Sequence, residues 1–270
     1  MELTKQQALE RHPGGVFEDE GVYLIDSNVV IEDGAFIESN TRIDSGVAIR
    51  SKARIESKAF IRGEALIEAS AIIGEGVAIG YGALIGSCTV IDMGSSVLAY
   101  AIIGPGVAVR SGVVIRSSAV VENNVTIESG AAIGAHAFIG NNVTIESGAV
   151  VEPNASIRRG AVVGKGAVIE SKAIIRDDAR IEPNARILSG AVVGKGRRGV
   201  KNTLILNGLG ETKQMTAHDS EYGLVIVIGC LNKNKGASLK EAKAAISKKY
   251  PDSHPYFDAL KLAQVWYENL

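Results

Sequence analysis

A triangular parallel β-solenoid followed by a small α+β module is the fold class this 270-residue sequence predicts. Three observations lead to it. First, from Ile25 to Val193 each sixth residue is isoleucine or valine, 29 positions in a row with no insertion or deletion. Six residues at ~100° each turn a helix by ~240°, so no single helix face can use that spacing, whereas flat strands can use it at each step. Second, a small residue usually stands two positions before each aliphatic, as at Ala35, Thr41, Ala53, Ala65, Ala83, Ser95, Ala119 and Ala185. Residues i and i−2 of a strand point the same way, so large and small side chains share one interior. Third, turn-forming residues punctuate the strands, for example Asn141-Asn142 and Gly164-Lys165-Gly166, and these suit tight, partly left-handed backbone. Three hexapeptides close one 18-residue coil, and about nine to ten coils stacked ~4.8 Å apart make a prism ~45 Å long.

The elements follow in order. Residues 1–20 read as a helical cap, with a polar helix from Leu3 to Arg11 and a turn at His12-Pro13-Gly14-Gly15. The cap is expected because an open coil end exposes unpaired backbone groups. Residues 21–196 are the solenoid. The six-residue rule fails after Val193, and 197–202 read as a basic linker. Residues 203–270 form the α+β module, with strand candidates TLILNGLG and YGLVIVIGC. Ser238 to Glu241 make a capping box opening a helix to about Tyr250, and Pro255 starts a second helix with a Tyr256, Leu260, Ala263, Tyr267 stripe.

Composition narrows the function classes. The chain is 46% hydrophobic with net charge −1. No apolar run approaches the ~18 residues of a membrane span and no signal peptide is read, so a cytoplasmic location is expected. Residues 1–196 carry 18 basic and 23 acidic side chains, and 197–270 carry 11 and 7. That imbalance is too weak for nucleic-acid binding, which wants a dense basic stripe with aromatic platforms. Cys88 and Cys230 have no metal-type spacing; Cys88 reads as a small, half-buried corner residue.

Motifs such as IIGEGVAIG (72–80) and VVGKGAVIE (162–170) resemble the hexapeptide-repeat superfamily, the LpxA-like transferases. The resemblance implies an all-β, single-stranded, left-handed parallel β-helix. The run 216–263, with Gly229-Cys230, Gly236, Leu239 and Glu241, is similar to the tail of uncharacterised prophage-encoded proteins, so the protein would sit in a host cytoplasm if phage-encoded. Most members of the superfamily are trimeric acyltransferases that use acetyl-CoA or an acyl carrier protein, with a histidine base at an intersubunit cleft.

Of four histidines, His136 alone lies in the repeats. It stands three residues before Ile139, whereas the resemblance to sugar and lipid N-acyltransferases implies a base four residues before. Steps of 18 put Tyr100, Ser118, His136, Asn154 and Lys172 in one corner column, a polar ladder that could activate a hydroxyl or amine. Lys195, Arg197, Arg198 and Lys201 in the linker are candidates for clasping a diphosphate, as CoA phosphates are held after the last coil in relatives; an exposed, solubilising linker is the plainer use of the same charges. The three-histidine zinc site of a γ-class carbonic anhydrase has no counterpart in one repeat histidine, and no metal site is expected.

Outward residues sort by face. One column runs Val30, Ala48, Leu66, Leu84, Ile102, Val120, Phe138, Ser156, Ile174, Val192, nine of ten apolar. Such a stripe should be covered, and a homotrimer through this face is expected. Two segments are internal copies: NNVTIESGA at 123–131 and 141–149, and EPNA…GAVVGKG at 152–166 and 182–196. The second copy is shifted by 30 residues onto a different face, which a scaffold tolerates and a catalytic face does not. With 29 unbroken hexapeptides leaving no loop to close over an acceptor, the sequence favours a non-catalytic trimeric scaffold that captures a small anionic ligand and needs no cofactor. The alternative is an acyltransferase using acetyl-CoA or acyl-CoA near His136.

Overall fold

The structure, a computed structural model, describes residues 2–3, 5–12, 16–17, 23–26, 28–194, 200–207, 214–220, 223–228, 237–247 and 255–268. From Tyr23 to Val193 the chain winds as a parallel solenoid of three faces, and each strand pairs with the strand 18 residues on, as in Leu66↔Leu84 and Leu84↔Ile102. The outward residues of face I run from Leu24 to Arg186, those of face II from Val30 to Val192, and those of face III from Phe36 to Arg180. Face II is a sheet of ten strands, whose outward residues are the apolar column read from the sequence.

The interior is what the six-residue rule requires. Ile37, Ile49, Ile67, Ile85, Ile103 and their equivalents are fully buried, and so are the small residues two positions earlier, such as Ala35, Ala65, Ala83 and Ala101. Three inward positions carry hydroxyls and still satisfy them, the first being Thr41, whose Oγ1 donates to the Glu38 carbonyl at 3.1 Å. Thr89 Oγ1 donates to the Gly104 carbonyl at 2.8 Å, and Ser95 Oγ donates to the Arg110 carbonyl at 2.9 Å while accepting from the Val113 amide at 3.2 Å. A buried hydroxyl is tolerated there because a backbone partner replaces water.

Corners explain the rest of the repeat. Ala101 N–H donates to the Leu98 carbonyl, closing a β-turn whose third residue, Tyr100, has φ +58°. A positive φ at that position defines the type II turn and favours Gly or Asn. Here it is occupied in all three corner columns by glycine or by residues such as Asn124, Ser118, His136 and Lys172. Strand amides donate forward to the next coil, as Leu84 to Ala101, and the left-handed corner amides donate backward, as Tyr100 to Tyr81. Each coil is therefore bonded to its neighbours in both directions. Cys88 sits at such a corner, where the side chain leaves the prism, and is exposed rather than half-buried.

A second ladder was not read from the sequence. The glutamate after an aliphatic reaches over to the first corner amide of the next coil. Ser51 N–H donates to Glu32, Ser57 to Glu38, Asn141 to Glu122, Lys165 to Glu146, Ser171 to Glu152 and Ser189 to Glu170. At Glu32 the Arg50 guanidinium and this amide hold the carboxyl below the usual glutamate range.

Both ends of the solenoid meet non-repeating chain. Glu2–Leu3 pairs antiparallel with Tyr23–Ile25, Val16–Phe17 pairs parallel with Phe36–Ile37, and helix α1 (Lys5–Arg11) buries Ala8 in the solenoid core cluster. At the other end, strand Arg180–Ile187 pairs parallel with Val200–Asn207, with a register shift between Ile181 and Arg186. That strand begins at Val200, within the stretch read as linker. It continues into an antiparallel sheet with Gln214–Ser220 and Gly223–Ile228, the latter joined by Ala237–Ser238. Helices α2 (Leu239–Ser247) and α3 (Pro255–Glu268) complete the module. The capping box is formed: Ser238 N–H donates to Glu241 and Glu241 N–H donates to Ser238 Oγ.

Candidate functional site

His136 occupies a corner between faces I and II. Its φ of +57° places the residue in the left-handed region, and its amide donates to the Ser117 carbonyl at 3.1 Å, leaving the imidazole exposed. Left-handed backbone costs a non-glycine residue roughly 1–2 kcal/mol. That strain is no sign of function here, since the same conformation recurs at corner after corner.

The 18-residue step places Ser118 and Asn154 one coil to either side of His136, with Ser118 half-buried and Asn154 exposed. Tyr100 lies two coils away, ~10 Å along the axis. Tyr100 is 58% exposed and its ring meets Tyr81 edge-on, with centroids 5.7 Å apart. Among the described residues, no hydrogen bond joins the side chains of this column. The fold thus aligns the four residues in one corner column, with Ser118, His136 and Asn154 in successive coils. Of the linker cations, Lys195, Arg197 and Arg198 lie outside the described residues, and Lys201 is placed only as part of the strand Val200–Asn207.

Beside the His136 corner the surface of face I opens into a groove of about 380 Å³. Ala132 and Val150 give it an apolar side, while Val151 is itself buried in the core; Gly134, Ala135 and Pro153 belong to the corners, and Arg116 and Glu152 supply charge. Gly134 brings the next coil close: a Cβ there would come within 2.4 Å of Pro153 N. An apolar trough with a cation at its margin suits an acyl or pantetheine chain carrying polar ends. Sequence reasoning missed Arg116 and Glu152, although both stand directly after an aliphatic, where side chains reach along the corner.

A second cavity, of about 370 Å³, is lined by Arg158, Ile174, Arg176 and Asp177 at the opposite edge of face II. It too was missed, and its signal is the pair of arginines following Ile157 and Ile175, 18 residues apart. Among the described residues no group of three or more histidine, cysteine or acidic side chains could hold a metal, and no helix is long and apolar enough to cross a membrane.

The repeat, the three parallel faces and their corners define the class: this is a hexapeptide-repeat protein of the left-handed parallel β-helix fold. Comparison with known proteins adds particulars. A family model described as the GMPPB C-terminal domain matches residues 115–209. No curated protein matches the chain. Among solved structures, it is similar to UDP-N-acetylglucosamine acyltransferase from Francisella novicida, at 20% identity over 65% of each chain with a TM-score of 0.33. It is also similar to a mutant GDP-perosamine N-acetyltransferase from Caulobacter crescentus in complex with CoA and GDP-perosamine, at 18% identity over 42% of this chain and 53% of that one, TM-score 0.39. For UDP-N-acetylglucosamine acyltransferase from Campylobacter jejuni the identity is 18% over 94% and 82%, TM-score 0.34. The chain spans 65% of the Francisella protein's length and 53% of the Caulobacter protein's. At these identities the likeness is one of fold.

Proposed function

We propose that the protein is an acyltransferase that takes its acyl group from a CoA-type thioester, working as a homotrimer with its site along the edge of face II. The observation that carries the reading is the groove beside His136, with its apolar side of Ala132 and Val150 and with Arg116 and Glu152. Acyl transfer is the activity named for the solved structures above, but the reading rests on the groove. The apolar side takes the thioester arm, Arg116 meets an anionic end, and His136 draws the proton from an acceptor amine or hydroxyl held near Ser118 or Asn154. CoA, when bound, supplies the activated thioester carbon. Packing face II against a neighbouring copy would turn its edge into a cleft and shield the reaction from water.

The test is release of free thiol from acetyl-CoA by the purified protein, across amino-sugar and hydroxyl acceptors. Turnover should fall ~10²–10⁴-fold in His136→Ala, the range of a lost general base. Turnover unaffected by that substitution, or none with any acceptor, rejects the reading. A scaffold that captures an anionic ligand then takes its place, favoured by the 29 unbroken hexapeptides, which leave no loop to fold over an acceptor.

A further inference from the structure

Ser156, Arg158, Ile174 and Arg176 form a two-by-two patch at the edge of face II. Residues i and i+2 of a strand lie on the same side, and Ser156 is in register with Ile174, so Arg176 follows Arg158 by one coil. Three features of this patch are anomalous for a solenoid surface.

The first is charge order. In the same column near the other end, Glu32 and Arg50 stand in successive coils and pair with each other. At Arg158 and Arg176 two cations succeed one another instead, and neither appears in an ion pair among the described residues. Arg158 rests its guanidinium over the Phe138 ring, 5.2 Å from the centroid. The second is a pair of orphaned polar atoms. Arg176 Nε and Ser156 Oγ are both buried and both lack a hydrogen-bond partner. Folded proteins leave few buried polar atoms without a partner, and each one calls for an explanation. The third is room: both arginines line the cavity of about 370 Å³.

We propose that this patch is an oxyanion site that takes the phosphoryl group of a small phosphorylated molecule. The two guanidinium groups, one from each of two successive coils, offer several donors to one cavity, which suits the several oxygens of a tetrahedral phosphoryl group. The cavity exceeds a lone phosphate, leaving space for the rest of the molecule. Asp177 also lines it; with Arg158 and Arg176 the wall carries two positive charges and one negative, so the net attraction is for an anion and the carboxylate limits how much negative charge is accepted. Phe138 fixes Arg158, so one of the two guanidinium groups is held in place before binding. The site stands apart from the groove beside His136 and does not depend on acyl transfer there.

Calorimetric titration of the full chain with inorganic phosphate and inorganic pyrophosphate, near 0.15 M salt, tests the assignment, with malonate as the carboxylate arm. Saturable binding of a phosphate probe is expected, tighter than malonate. It should weaken about tenfold or more in Arg158→Gln, an exposed position whose loss cannot unfold the core, and similarly in Arg176→Gln. Arg176→Lys keeps the charge and removes Nε, so it should also weaken binding, while Lys58→Gln on another corner should not. The proposal is overturned by the absence of saturable binding, by malonate binding as tightly as phosphate, or by affinity that survives both Arg158→Gln and Arg176→Gln. It is equally overturned if affinity depends on Lys195, Arg197 and Arg198 and not on Arg176.

Discussion

Two glycines four residues apart do unlike work. Gly80 follows an aliphatic and has ordinary backbone, but a Cβ there would lie 2.4 Å from Ala99 N and 2.5 Å from the Leu98 carbonyl carbon. Gly76 sits at a corner with φ +64° and open space around its missing Cβ. Gly80→Ala must push two coils apart and should cost ~1–3 kcal/mol, whereas Gly76→Asn keeps a residue that accepts the left-handed region and should stay within ~0.5 kcal/mol. Thermal unfolding of the two variants decides it, and equal losses would contradict the close-approach argument. Glu32 offers a pH test at the same scale. Its carboxyl is held low, first by Arg50 and then by the Ser51 amide, so the clamp is present at neutral pH and is lost only as the pH falls below the ordinary glutamate value. The Ser51 amide resonance should shift with that acid titration and stay fixed above it; an amide indifferent to acid would mean the clamp is absent in solution.

Most strands of the solenoid, such as Leu84–Ile85 and Ile102–Ile103, are two residues long, and only stacking makes them stable. Ile103 is buried between Ile85 and Val121 in the neighbouring coils. Ile103→Ala should cost ~2–5 kcal/mol through lost methylenes and the void left behind. Because each coil touches only its neighbours, hydrogen exchange should quicken over roughly residues 85–121 and little elsewhere. Uniform destabilisation from Ile25 to Val193 would count against a coil-by-coil molecule. This local logic also explains what the sequence could show. A strict period leaves no freedom in which residues point inward, so core, faces and corner columns were legible residue by residue. The His136 column was legible too, since it follows from counting in steps of 18. The glutamate ladder was not, because Glu after Ile looks like any solvated charge until the corner amide of the next coil is in place. Arg158 and Arg176 escaped for the same reason: a basic pair reads as solubility unless their stacking without a carboxylate between them is seen.

At the scale of the whole molecule, face II presents a long apolar column. Val30 and Ile102 are 51% and 46% exposed, and the exposed Tyr81, Leu98 and Tyr100 lie along its edge. A homotrimer through this face should fall to monomers or aggregates in Leu84→Asp with Ile102→Asp, read by light scattering; a monodisperse wild-type monomer would rule that assembly out. The six-residue period and the closed ends together have one more result. Every coil adds the same ~4.8 Å rise and presents the same three faces, while non-repeating chain seals the first coil through Val16–Phe17 and the last through Val200–Asn207. The molecule is in effect a ruler graduated in units of 18 residues. Duplicating one whole unit, as the repeated NNVTIESGA segments record, lengthens it by one graduation while the end pieces and lateral faces keep their alignment, so reach can drift between descendants of one ancestor without any redesign of the fold.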